Sequence, residues 1–174
     1  MRRLLLLRHA KAVPFQGRDD FERELTERGC DDARRLAAHV VEQNVAPERI
    51  FHSSAMRTTE TASIIAAGLP QRPALEPRAD YYDAIREALL LSVRELPNTL
   101  RSAMLVGHNP GIADLARWLI GSGPHRDIKA LAAKFPTSSL AVLEFDVAAW
   151  RDVERSSGLL SLYATPSMLG GEDV

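Results

Sequence analysis

Four consecutive leucines, Leu4–Leu7, lie between arginines at Arg3 and Arg8. The run is too short for an amphipathic helix and has no polar alternation. A strand buried on both faces is the structure that uses it, because only then do successive side chains on opposite faces both need to be apolar. It also falls short of the roughly 7–15 apolar residues of a signal-peptide core. No stretch reaches the ~20 apolar residues of a membrane span, so an intracellular, cytoplasmic protein is expected.

A strand buried on both faces needs helices above and below it, and the rest of the chain supplies them. Thr26 is placed as an N-cap before Ala33, Leu36, Ala37, Val40 and Val41, a helical stripe. Ile50–Ser53 reads as a second strand and Ala55–Ala67 as a helix stopped by Gly68 and Pro70. Ala74–Glu76 is a brief third strand, and Ala84–Leu96 a helix that ends at Pro97. Ala103–Val106 is a buried strand, with Asn109 as N-cap and Pro110 as first residue of the helix after it. Leu140–Phe145 and Leu159–Tyr163 read as two late strands able to pair as a hairpin-like extension, and His125 falls in a loop. The expectation is an α/β fold: a three-layer α/β/α sandwich with a mostly parallel sheet and helices on both faces. At 174 residues and roughly 100–200 residues per domain, residues 1–169 form a single domain. Residues 170–174, small and polar, are expected to fray.

The charge balance, 22 Lys+Arg against 23 Asp+Glu, argues against bulk binding to nucleic acid or an anionic membrane. A single cysteine excludes an internal disulfide and a Cys-rich zinc site.

Sites in open α/β sheets lie beyond the carboxyl ends of the strands. There the sequence places Arg8-His9, then Ser53–Arg57, then Gly107–Pro110. Two histidines and two arginines would face one crevice. The arginines would repel a cation, and no acid adjoins either histidine to complete a metal site. A phosphoryl group suits the set: guanidinium forks match its oxygens, and a helix starting near Ala55 would add backbone N–H donors. The cationic neighbours would keep His9 neutral and hence nucleophilic, with His108 as a second donor to the transferring group.

These residues carry a signature. Leu6–Ala12, Ser53–Ala62 and Val106–Gly111, with Leu25-Thr26-Glu27-Arg28-Gly29 between the first two, resemble in order the motifs of the histidine phosphatase superfamily, the phosphoglycerate mutase-like fold. The compact length and Asp20–Thr26 resemble its short SixA-type branch of phosphohistidine phosphatases. The resemblance implies His9 as the phosphorylated nucleophile, Arg8, Arg57 and His108 as phosphate contacts, and no metal or other cofactor. It adds Arg23 as a further phosphate contact and Asp20 as a neighbour of the leaving group. Many family members place a glutamate acid between the second and third motifs. Here the stretch is Arg78–Asp83, where Asp80 could stand, and Asp20 is the other candidate proton donor. Residues 77–101 leave room for one helix and no helical lid. The implied enzyme removes phosphate from a protein-borne phosphohistidine in a shallow, open pocket. The alternatives are a small-molecule phosphomonoesterase of the same fold acting on a phosphorylated metabolite, and a non-catalytic module that binds phosphoproteins. A mutase is disfavoured by the missing lid and glutamate.

Overall fold

The computed structural model describes residues 1–17 and 19–173. Among them seven strands form one sheet: β1 Arg2–Arg8, β2 Arg49–Ser53, β3 Ala74–Arg78, β4 Ser102–Gly107, β5 Ile120–Ser122, β6 Leu140–Phe145 and β7 Gly158–Ala164. The helices are α1 Glu27–Glu42, α2 Met56–Gly68, α3 Arg86–Arg94, α4 Gly111–Leu119 and α5 His125–Ala133. Strand order is β3-β2-β4-β1-β6-β7-β5. β3, β2, β4 and β1 run parallel, and β6 is antiparallel to both β1 and β7. The expected α/β/α sandwich is present, with the hairpin-like pairing of the two late strands.

The leucine run shows why. Leu4 and Leu6 pack in the cluster that holds Leu89 and Val93 of α3 and Ile112 and Leu115 of α4. Leu5 and Leu7 pack in the opposite cluster, with Leu36 and Val40 of α1 and Ala62 and Ile65 of α2. Successive residues of a strand face opposite sides, so four adjacent leucines fill two cores at once. All four are fully buried. Each contributes about 1.5–3 kcal/mol relative to an exposed side chain.

Entry to α1 fixes the chain that follows the first motif. The Thr26 hydroxyl oxygen accepts the Gly29 N–H at 3.0 Å, and Thr26 N–H donates to the Lys11 carbonyl at 2.9 Å. A side chain at Gly29 would collide with that carbonyl. Glycine is needed here for close approach.

Several elements differ from the sequence expectation. α3 begins at Arg86, because Ile85 is extended (φ −77°, ψ 162°). β3 extends to Arg78 and includes Pro77, which an edge strand tolerates. His125 opens α5 rather than lying in a loop; that helix buries only Leu131, so its apolar periodicity is weak. α4 begins at Gly111 without a side-chain cap, and the Asn109 amide donates to the Phe135 carbonyl at 2.9 Å instead. Residues 170–173, expected to fray, are hydrogen-bonded. Gly171 N–H donates to the Pro166 carbonyl at 2.8 Å, and the Asp173 carboxylate accepts from Lys134 Nζ at 2.8 Å and Ser167 N–H at 2.9 Å. Val174 lies outside the described residues. Among those residues no helix is long and apolar enough to cross a membrane.

Candidate active site

The parallel register sets the site. Arg8 of β1 pairs with Gly107 of β4, and His52 of β2 pairs with Val106 of β4. Arg8, Gly107 and Ser53 therefore end three adjacent strands at one edge of the sheet. His9 and His108 are the next residues along β1 and β4, and Arg57 lies in the first turn of α2. His9 N–H donates to the Gly107 carbonyl at 3.1 Å, tying the two strand ends together. The sheet thus brings His9, Arg8, Arg57 and His108 to one place.

His9 is buried, and its ring centroid is 5.5 Å from that of His108. Its Nδ1 lies 2.7 Å from the Ala10 carbonyl oxygen. A carbonyl only accepts, so Nδ1 carries the proton and Nε2 of the neutral ring keeps a lone pair. Burial above all, with the charges of Arg8 and Arg57 and the neighbouring His108, pulls the His9 pKa down to about 3, against the Ala10 hydrogen bond. At neutral pH the ring is an uncharged base. α2 holds its backbone: Ala10 N–H donates to Thr61 Oγ1 at 3.0 Å, and Thr61 Oγ1 donates to the Arg57 carbonyl at 2.7 Å.

The two arginines are held differently. Arg8 Nη1 donates to the Phe135 carbonyl at 3.1 Å. Burial, and then the charge of Arg57, pulls the Arg8 guanidinium below its ordinary range. Arg57, 4% exposed, donates to the Asp20 carbonyl at 2.8 Å and to Asp20 Oδ2 at 3.1 Å. Arg8 Nε, Arg57 Nε and His108 Nδ1 are buried and lack a hydrogen-bond partner. An unmade buried hydrogen bond costs about 1–3 kcal/mol, so orphans on two guanidinium groups and an imidazole mark a place for an anion.

Asp20 and Arg23 reach this place through a 3-10 turn, Asp20–Glu22. The Asp20 carboxylate accepts from Tyr82 Oη at 2.6 Å, Arg23 Nε at 2.8 Å and Arg57 Nη2 at 3.1 Å. The Tyr82 hydrogen bond first, then Arg23 and Arg57, holds its pKa at about 2. Asp20 is therefore an ionised acceptor at neutral pH and a poor proton donor. Arg23 meets the site through Asp20, and its Nη1 donates to the Val13 carbonyl at 2.9 Å. Asp80 is not brought in. It is exposed and accepts from Arg78 Nε at 3.0 Å and Nη2 at 2.8 Å, and that pairing lowers its pKa. A carboxylate so paired is also a weak acid catalyst.

Two residues escaped sequence reasoning. Tyr82 sits edge-on to His108 with ring centroids 5.5 Å apart, and the Arg57 guanidinium lies 5.9 Å from its ring centroid. Its neighbour Tyr81 faces the core and bonds Ser92. Nothing in the pair Tyr81-Tyr82 tells which one reaches the site. Ser53 stands in the second motif with no role of its own in the sequence, yet its Oγ lies 2.8 Å from His108 Nε2. Beside His108 opens a cleft of about 480 Å³, lined by Asp83, Ile85, Arg86, Glu87 and Asp114 among others. Among the described residues no group of three His, Cys, Asp or Glu is placed to hold a metal ion.

The model of the histidine phosphatase superfamily (branch 1) matches residues 4–87. The uncharacterized protein ML1117 of Mycobacterium leprae (strain TN) is 30% identical over 166 residues, which cover 92% of this chain and 99% of that protein. The crystal structure of SixA from Agrobacterium tumefaciens superposes with a TM-score of 0.80 at 29% identity, covering 95% of this chain and 98% of the other. The protein histidine phosphatase SixA complexed with tungstate shares the fold, with a TM-score of 0.76 at 22% identity over 96% of this chain and 99% of that one.

Proposed function

We propose that this chain, which belongs to the histidine phosphatase superfamily and to its SixA-type branch, is a phosphatase that removes the phosphoryl group from a protein-borne phosphohistidine by way of a phosphorylated His9. The observation that carries the reading is an asymmetry in the site. The nucleophile is complete, with a proton on Nδ1 and a lone pair on Nε2. The acid bonded to Arg57, Asp20, is an ionised carboxylate held by three donors.

The chemistry follows from that asymmetry. His9 Nε2 attacks phosphorus as the substrate's P–N bond breaks. A phosphohistidine whose ring is protonated on its other nitrogen leaves as neutral imidazole, so the departing group needs no proton from the enzyme. The bond made and the bond broken are of the same kind. Water then attacks the phosphoryl group on His9, the enzyme's P–N bond breaks, and inorganic phosphate leaves with the proton that water gives up. Arg8, Arg57 and His108 hold the phosphoryl oxygens, where fixed donors lower the barrier by stabilising spread negative charge. An alcohol leaving group would depart as an alkoxide without a proton donor, and neither Asp20 nor Asp80 is suited to be one.

The names of the SixA relatives, phosphohistidine and protein histidine phosphatase, support the same substrate class. So does the single helix, α3, between β3 and β4, which leaves the site without a helical lid. The test is a substrate panel of a phosphohistidine protein, sugar phosphates and phosphoglycerates, run with and without chelator. Turnover should be fastest on the phosphohistidine protein and indifferent to chelator. Trapped enzyme should carry acid-labile, base-stable phosphate on His9. Strong preference for the sugar phosphates would move the assignment to a small-molecule phosphomonoesterase.

A further inference from the structure

His108 can donate to a phosphoryl oxygen only if a proton sits on a ring nitrogen that is free to do so. Its two nitrogens have different surroundings. Nε2 lies 2.8 Å from Ser53 Oγ. Nδ1 is buried and has no hydrogen-bond partner. Burial first, then the charge of Arg57, pulls the His108 pKa down to about 4, so at neutral pH the ring carries one proton.

Ser53 decides where that proton sits. It is fully buried, at the last position of β2. Its Oγ accepts the Ala55 N–H at 3.3 Å. The hydroxyl proton then has His108 Nε2 as its acceptor. With the ring proton on Nε2, the ring would donate to Ser53 and the serine's own proton would lose that acceptor. The lone pair of Nδ1 would also oppose an incoming phosphoryl oxygen. With the ring proton on Nδ1, Ser53 donates to Nε2, and Nδ1–H is left as a donor that only a ligand can satisfy.

We propose that Ser53 is a positioning residue that fixes the tautomer of His108 and so presents its Nδ1–H to the phosphoryl group. The proposal rests on the reading of His108 as a phosphoryl contact. It also accounts for two buried groups the reaction does not otherwise use. The Ser53 carbonyl accepts from His52 Nδ1 at 2.9 Å and from Thr58 Oγ1 at 2.7 Å. His52 and Thr58 thereby hold the backbone from which the hydroxyl is aimed.

Nitrogen-15 NMR of histidine-labelled wild-type protein at neutral pH tests the tautomer directly. His108 should show a protonated Nδ1 and an unprotonated, hydrogen-bonded Nε2; a protonated Nε2 overturns the proposal. This measurement needs no substrate, so it stands or falls apart from the choice of phosphohistidine as the leaving group. Kinetics supply the second readout. Ser53→Ala should lower kcat/KM about 10-fold or more, less than the ~10²–10³-fold of losing an oxyanion donor outright. His108→Asn places an amide nitrogen near the position of Nδ1 without reliance on Ser53. In that background the cost of Ser53→Ala should vanish. An equal cost in both backgrounds would make Ser53 merely structural and overturn the proposal.

Discussion

The site has a floor and a rim, and they are built on opposite plans. The floor is Arg8, His9 and His108 at the ends of strands, with Arg57 in the first turn of a helix. His9, Arg57 and His108 are buried and Arg8 is half-buried, and Arg8 Nε, Arg57 Nε and His108 Nδ1 lack hydrogen-bond partners. The rim is Asp20, Arg23 and Tyr82, carried on loops and 3-10 turns and partly open to solvent. Its carboxylate is satisfied: Asp20 accepts from Arg23 and Tyr82 of the rim and from Arg57 of the floor. A floor left unsatisfied by the protein is completed by substrate, whereas a satisfied rim tunes what reaches the floor. On the proposed function, the strand ends make the bond and the loops act on the leaving group.

The largest expected effect breaks the floor. His9→Ala should abolish turnover and covalent labelling while circular dichroism and the unfolding profile stay those of a folded protein. Residual labelling on another residue would refute the role of His9. Next comes Arg57→Lys, which keeps charge but loses the fork; kcat/KM should fall about 10²-fold, measured on the best substrate of the panel.

A third test reads the floor through pH. His9 and His108 have folded-state pKa values of about 3 and about 4, below the usual 6.5. The unfolded chain therefore takes up protons before the folded one does. Their contribution to stability is whole above about pH 6.5 and is lost as pH falls toward 4 and 3. Thermal unfolding between pH 7 and 4 should show a falling Tm, with a shallower fall in His9→Ala and His108→Ala. Equal slopes in all three proteins would mean that these rings are not buried and neutral. The smallest effect sharpens the rim. Asp20→Asn removes the anion that competes for Arg57, so inorganic phosphate should inhibit about 2- to 5-fold more strongly at low salt, the range of a partly exposed ion pair. A large loss of kcat that tracks an alkaline limb would instead restore Asp20 as a proton donor.

The floor was legible in the sequence because strands place it. Leu4–Leu7 dictates a central strand, and the residues after three such runs must meet if the strands are parallel neighbours. The rim was only half legible. Asp20 and Arg23 came from a resemblance, and their partnership with Tyr82, 62 positions away from Asp20, depends on how two loops fold over the strand ends. Asn109 was misplaced for a related reason. A cap is a local rule, and here a distant carbonyl, that of Phe135, takes the Asn109 amide. α5 was missed because it buries too little to leave a pattern.

That same Phe135 carbonyl also receives Arg8 Nη1. One oxygen from the last third of the chain fastens Arg8 at the end of β1 and Asn109 beyond β4. The same third supplies β6, which covers the side of β1 away from β4. Every side chain placed in the floor and rim precedes residue 110, yet a fragment ending there would leave β1 as a bare edge and Arg8 untethered. The arrangement of the floor thus depends on a segment that supplies none of its four side chains.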